Sequence, residues 1–145
     1  MLQPKLPLED YSLVIRTDFS DDATWEIVCR AIQAPQTVAG IGSGCEAFVE
    51  CISDKACAGL APEAICALLP SSSDERFFVF IVDSEALSNA EHPVLVVDTE
   101  DPSRTFRVIP SASWAVENNL RLANMGFDDF EASLGADGIF RGIER

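Results

Sequence analysis

Three apolar runs in this chain end in aspartate: VIRTD at Asp18, FIVD at Asp83 and VVD at Asp98. Parallel strands would carry all three carboxylates to one edge of a sheet, where α/β folds bind ligands. Hard oxygen donors gathered there would suit Mg2+. Asp21 and Glu46 join them as candidates for acid/base chemistry, which a carboxylate performs when a pocket raises its pKa. The plainer reading is that aspartate after a strand starts a turn or caps the next helix. The link Ser84–Pro93 between the second and third runs is shorter than the roughly dozen residues of a parallel crossover. Antiparallel pairing there would send Asp83 and Asp98 to opposite edges and dissolve the cluster.

Other reactive types are sparse. The single histidine, His92, sits in Glu91-His92-Pro93 just before a strand and reads as an exposed turn residue, since no serine or cysteine stands in a nucleophile motif. The cysteines are odd in number (Cys29, Cys45, Cys51, Cys57 and Cys66), with no CxxC spacing. They read as reduced, buried thiols, with a Cys51/Cys57 or Cys45/Cys51 bridge left open, and a structural zinc site is not expected with one histidine. Gly40, Gly42 and Gly44 lack the Lys-Ser/Thr of a phosphate loop and the spacing of a dinucleotide fingerprint, so this stretch reads as a flexible loop.

A second constellation lies in Ser113–Met125. Helical spacing puts Trp114, Asn118, Arg121 and Met125 on one side, and Glu117 stands four residues before Arg121, the arrangement of an ion pair. Asn118, Asn119 and Asn124 are locally unfavourable in a helix, because asparagine competes for backbone hydrogen bonds. Something tertiary must compensate. Either Trp114, Glu117, Asn118, Arg121 and Asn124 present a polar face with an aromatic anchor to a partner, or the amides tie down neighbouring loop backbone.

The charge bears on which partner that would be. With 10 Lys+Arg against 24 Asp+Glu the formal net charge is −14, spread over both halves of the 145 residues. Such a surface repels nucleic-acid backbones and anionic lipid and attracts basic proteins. At 48% hydrophobic residues the chain can bury a core. No apolar run approaches the ~20 residues of a membrane helix, and the first residues lack the basic start and apolar stretch of a secretion signal. A cytoplasmic location is expected.

The elements that must hold these residues follow from periodicity. Residues 1–11 read as a loose leader and 12–145 as one domain. Ser12–Arg16 is a strand; Ser20-Asp21-Asp22 opens a helix with Trp25, Val28, Cys29 and Ile32 inward, ending before Pro35. Glu46–Ile52 alternates as a half-exposed strand with Glu46 and Glu50 outward. Pro62 begins a helix that shares Ile65, Cys66 and Leu69 on a face, and Ser71–Asp74 is a turn. Phe77–Val82 and Val94–Val97 lack alternation, so both their faces should be covered. Thr105–Ile109 returns as a hairpin partner after Asp101-Pro102-Ser103, with Arg104 and Arg107 paired to Asp98, Glu100 and Asp101. Ser111 or Ser113 caps the helix that runs through Met125, and Gly126 closes it. Phe127–Leu134 is a short helix or turn with Phe127, Phe130 and Leu134 inward, and Ile139–Ile143 an edge strand. The fold expected is α/β (or α+β): a mixed sheet of about five strands with three to four helices.

The stretches SLVIRTDFSDDATWEIVC, EHPVLVVDTEDPSRTFRVIPSASW and VENNLRLANMGFDDFEASLGADGIFRG resemble a small domain family of bacteria and fungi that carries only a domain-of-unknown-function label. The resemblance spans roughly residues 12–142, is weakest over Gly40–Ala61, implies a shared fold and transfers no catalytic residue. In architecture alone, small acidic α/β domains are similar to immunity and adaptor proteins. The reading that follows is a non-catalytic acidic interaction module that binds a protein, as a monomer or homodimer and without a cofactor. The alternative is a small enzyme, cofactor-independent or Mg2+-dependent, using carboxylate acid/base chemistry on a metabolite.

Overall fold

A computed structural model describes residues 11–38, 40–69 and 78–142. The leader, apart from Tyr11, and the turn at 71–74 lie outside the described residues. The main sheet is built around β1 (Ser12–Arg16) and β5 (Phe78–Val82), every residue of which is buried. In the sheet order β4-β1-β5-β6-β7-β8, β1 runs parallel to both neighbours, β4 (Val49–Ile52) and β5. The chain then turns antiparallel through β6 (Val94–Asp98) and β7 (Thr105–Val108), and the two-residue β8 (Ile139–Phe140) adds parallel to β7 at the edge. A separate hairpin pairs β2 (Gln36–Val38) with β3 (Gly42–Cys45).

Helices cover both faces, which is why FVFIV carries no polar alternation. On one face Val14, Phe80, Val96 and Val108 meet α1 (Asp22–Gln33), α3 (Ser84–Ser88), α4 (Ser113–Arg121) and α5 (Phe127–Glu131). On the other, Leu13, Ile15, Val79 and Ile81 meet Ile65 of α2 (Pro62–Ala67) and Cys57. The side chains alternate across each strand as the pleat requires. α1 forms as its spacing predicts: Asp21 accepts from the Thr24 amide as N-cap, and Trp25, Val28, Cys29 and Ile32 are buried. Phe130 of α5 stacks on Phe106 and meets Phe140 edge-on, with centroids 5.5 and 5.2 Å apart, anchoring α5 to β7 and β8.

The sequence reading requires correction at several places. The glycine-rich stretch is an ordered hairpin rather than a loop, because Gly40, Gly42 and Gly44 supply the positive φ angles it turns on. β4 starts only at Val49, since Glu46–Phe48 leaves the ladder to bond α4. A helix, α3, lies within the Ser84–Pro93 link, capped by Asp83. Among the described residues the expected α/β architecture holds, with a main sheet of six strands and five α-helices.

Neither Ser111 nor Ser113 caps α4. A 3-10 turn over Pro110–Ala112 leads into it, Ala112 holds the N-cap position, and Ser113 Oγ donates to the Ile109 carbonyl. α4 also stops at Arg121, well before Gly126, which instead opens α5. The stop is Ala123, at φ 58°. Its amide donates to the Leu120 carbonyl and the Asn124 amide to the Asn119 carbonyl, the paired bonds of a Schellman end. An alanine in the left-handed region costs about 1–2 kcal/mol, and its side chain is exposed. Replacing Ala123 with glycine should therefore raise the unfolding free energy by about 1 kcal/mol, read from urea denaturation; unchanged or lowered stability would contradict this account of the helix end.

Candidate functional site

The three strand-end aspartates do not converge. Phe78 of β5 pairs with Asp98 of β6 in an antiparallel ladder, so Asp98 lies at the edge where β5 begins, and Asp83 at the edge where β5 ends. Asp18 follows β1 at the same edge as Asp83, since β1 and β5 are parallel. Each carboxylate is occupied locally. Asp18 accepts from the Ser20 amide, Asp98 from the amides of Glu100 and Asp101, and Asp83 from the Ala86 amide at the start of α3. Asp83 also receives both terminal nitrogens of Arg107, at 3.0 and 2.7 Å. Hydrogen bonds from Ser20 hold the Asp18 carboxyl below the ordinary range, and those from Thr24 do the same to Asp21. A carboxylate so held is a poor proton acceptor near neutral pH. Among the described residues, no three His, Cys, Asp or Glu side chains are placed to share a metal ion.

The expected pairing of Arg104 and Arg107 with Asp98, Glu100 and Asp101 is not what the side chains do. Arg107 sits opposite Leu95 on the ladder, beyond reach of that turn, and pairs with Asp83 and Glu85; Arg104 crosses to Asp128 and Glu131 of α5. His92 is half-buried rather than exposed, and its Nδ1 lies 2.9 Å from the Ala86 carbonyl, which only an N–H can satisfy.

One carboxylate differs in kind from the others. Glu117 of α4 is fully buried. Its Oε1 accepts from the Phe48 amide at 2.9 Å and Asn118 Nδ2 at 3.0 Å; its Oε2 accepts from Ser12 Oγ at 2.8 Å and Arg121 Nε at 2.7 Å. Asn118 Nδ2 also reaches the Glu46 carbonyl, and the Ser12 amide donates to the Phe48 carbonyl. A single acid thus joins α4, the start of β1 and the chain entering β4. The i,i+4 pair with Arg121 is legible in the sequence; its burial is not, although Ser113 and Leu120, four before and three after, share that side and are also buried.

The helix face expected around Trp114 divides in three. Trp114 lines a cleft of about 250 Å3 with Thr37 and Ile41 of the hairpin region and Arg141. Glu117, Asn118 and Arg121 turn toward the Glu46–Phe48 segment, and Asn124 is exposed past the helix end. Asn118 therefore ties down loop backbone, while Asn119 bonds back to the Ala115 carbonyl of its own helix. Phe48, whose amide Glu117 accepts, reaches the surface. The Arg121 guanidinium lies 5.1 Å from the Phe48 ring centroid, and Phe48, Tyr11 and Leu122 are 48%, 47% and 57% exposed. Tyr11 precedes Ser12 and Leu122 follows Arg121 in the chain.

Sequence reasoning missed Arg16. It is 3% exposed at the end of β1, bonds the Asp18 carbonyl, Ser53 Oγ and Asp22 Oδ1, and lies over Phe19 and Trp25 with centroids 4.4 and 5.4 Å away. A lone arginine closing an apolar strand before Thr-Asp was the available signal.

These features define an α/β domain with a mixed sheet covered on both faces, in which five arginines are paired with carboxylates of the same chain. The chain belongs to the family described as Domain of unknown function (DUF6924), which matches residues 11–143. No protein with a curated description matches it. No helix among the described residues is long and apolar enough to cross a membrane.

Two outcomes follow. Removing the acceptor with Glu117→Ala strands buried donors from three segments and should cost about 3–5 kcal/mol in chemical denaturation; a loss under 1 kcal/mol would remove Glu117 from its central place. Asp21, lowered when folded from an ordinary value of 3.8, contributes stability that is complete above that value and lost as pH falls through the folded one. Asp21→Asn, which keeps a capping oxygen, should show a smaller drop in melting temperature below pH ~4 than the parent chain; an equal or larger drop contradicts the assignment.

Proposed function

We propose that this domain is a non-catalytic interaction module that binds a basic protein through the surface around Phe48. One observation carries the reading: Phe48 is half exposed, lies beneath the Arg121 guanidinium and is fixed from behind through its own amide by buried Glu117. Aromatic and arginine side chains held rigid on an accessible surface are the usual anchors of protein interfaces, because little conformational entropy remains to be lost. Tyr11 and Leu122, chain neighbours of Ser12 and Arg121, are also exposed.

Charge selects the class of partner. Five of the ten basic residues, Arg16, Arg104, Arg107, Arg121 and Arg141, are held by carboxylates of the same chain, while the whole chain carries −14. Basic partners are steered toward such a field, and a second copy of the chain is repelled by it. The hydrogen-bonded state of Asp18, Asp21, Asp83 and Asp98 supports a scaffolding part for these acids over a catalytic one.

The test is binding between the domain and a basic protein recovered on it and then purified. Exchange of Phe48 and Leu122 together for alanine should weaken binding about tenfold or more, and added salt should weaken it further. Affinity that survives both changes, or turnover of a small molecule that Asp18→Asn or Asp83→Asn abolishes, would overturn the proposal.

A further inference from the structure

The five cysteines are free, and neither bridge left open by the sequence, Cys51/Cys57 or Cys45/Cys51, is formed. Cys57 lies on the opposite face of the sheet from Cys51, in the cluster with Leu13 and Ile15. Cys51 shares its cluster with another cysteine, Cys29. In the β1-α1-β4 unit the helix must lie over the two parallel strands it connects. Cys29 is on the buried face of α1 with Val28 and Ile32; Cys51 pairs with Val14 on the ladder and packs into the same cluster. Both side chains therefore face the layer between α1 and the edge of the sheet.

We infer that Cys29 and Cys51 form a hydroperoxide-oxidisable dithiol, with Cys51 the attacked thiol and Cys29 the resolving one. Exposure sets the order: Cys51 is partly exposed on the edge strand, whereas Cys29 is buried on the inward face of α1. Electrostatics agree. The mutual interaction of the pair lowers the Cys51 thiol and raises that of Cys29, while burial raises Cys57 and lifts Cys66 to about 11. The thiolate is the reactive form. The Cys51 thiolate attacks one oxygen of the hydroperoxide, the O–O bond breaks, and sulfenic acid forms as the other oxygen leaves, for hydrogen peroxide as water. Cys29 then loses its proton and attacks that sulfur, forming the S–S bond and expelling the sulfenic oxygen as a second water. Both sulfurs are oxidised and the peroxide is reduced. The product ties α1 to the edge of the sheet.

The experiment treats the fully reduced chain with equimolar hydrogen peroxide, blocks remaining thiols with an alkylating reagent and reads intact mass and linked peptides. The expected product has lost about 2 Da, the two thiol hydrogens, with Cys29 and Cys51 in one linked peptide and Cys45, Cys57 and Cys66 alkylated. In Cys29→Ser, Cys51 should halt at sulfenic acid and be trapped by dimedone. A linkage between any other two cysteines, or a reduced Cys51 beside an oxidised Cys45, overturns the inference, and the wild-type peptide map decides this even where a serine variant folds poorly. The outcome is independent of whether the surface around Phe48 binds a protein.

Discussion

A carboxylate with no access to solvent is tolerated only when donors replace the water it has lost. Glu117 meets that demand with four donors drawn from three places in the chain: Ser12 at the start of β1, Phe48 before β4, and Asn118 and Arg121 of its own helix. Desolvation makes the acid the critical member, since losing it takes the same acceptor from all four donors. Much of the architecture at this end of the sheet follows. The chain cannot continue β4 back through Glu46, because its backbone is turned to the helix, and α4 cannot rotate without breaking contact with β1. The exposed Phe48 and Leu122 are by-products of that constraint, placed on the surface by bonds formed beneath them.

The opposite edge, where β1 and β5 end, is closed in a different way. Arg16 and Arg107 reach carboxylates and carbonyls in the loops there, and Asp83 serves Arg107 and the first turn of α3 together. This is the region in which α/β folds commonly hold ligands. Here its polar side chains are engaged with each other, and the third strand-end acid, Asp98, is carried to the far edge by the antiparallel turn of β6. Geometry of this kind favours scaffolding by the acids and leaves the molecular surface to make contacts. The proposed binding role therefore rests on what the buried polar groups already do, together with the sign of the net charge.

Periodicity made most of the fold legible. The buried set Trp25, Val28, Cys29 and Ile32 follows from helical spacing, and covered faces on both sides of FVFIV follow from its lack of alternation. What escaped was decided by long-range bonds or single backbone angles. Nothing local distinguishes Ala123 from other helical alanines, so the end of α4 could not be seen in a stretch that stays helical in composition to Met125. The gap between Asp83 and Pro93 concealed five helical residues because its polar residues read as a link. For the candidate site, the Glu117–Arg121 pair was visible as an i,i+4 spacing, whereas its burial depends on Ser12 and Phe48, distant in sequence. That Cys29 and Cys51 face one layer needed the strand order, since the parallel pairing of β1 with β4 brings α1 over Cys51.

The most direct measurement is amide hydrogen exchange, residue by residue, on the parent chain and Glu117→Ala under native conditions. The Phe48 amide, whose acceptor is removed, and the Ser12 amide beside it should lose protection by far more than amides at the centre of β5 and β6, because local opening is set by the bonds at that edge. Equal loss across the whole sheet, or unchanged exchange at Phe48, would show that Glu117 does not hold this end of the domain together.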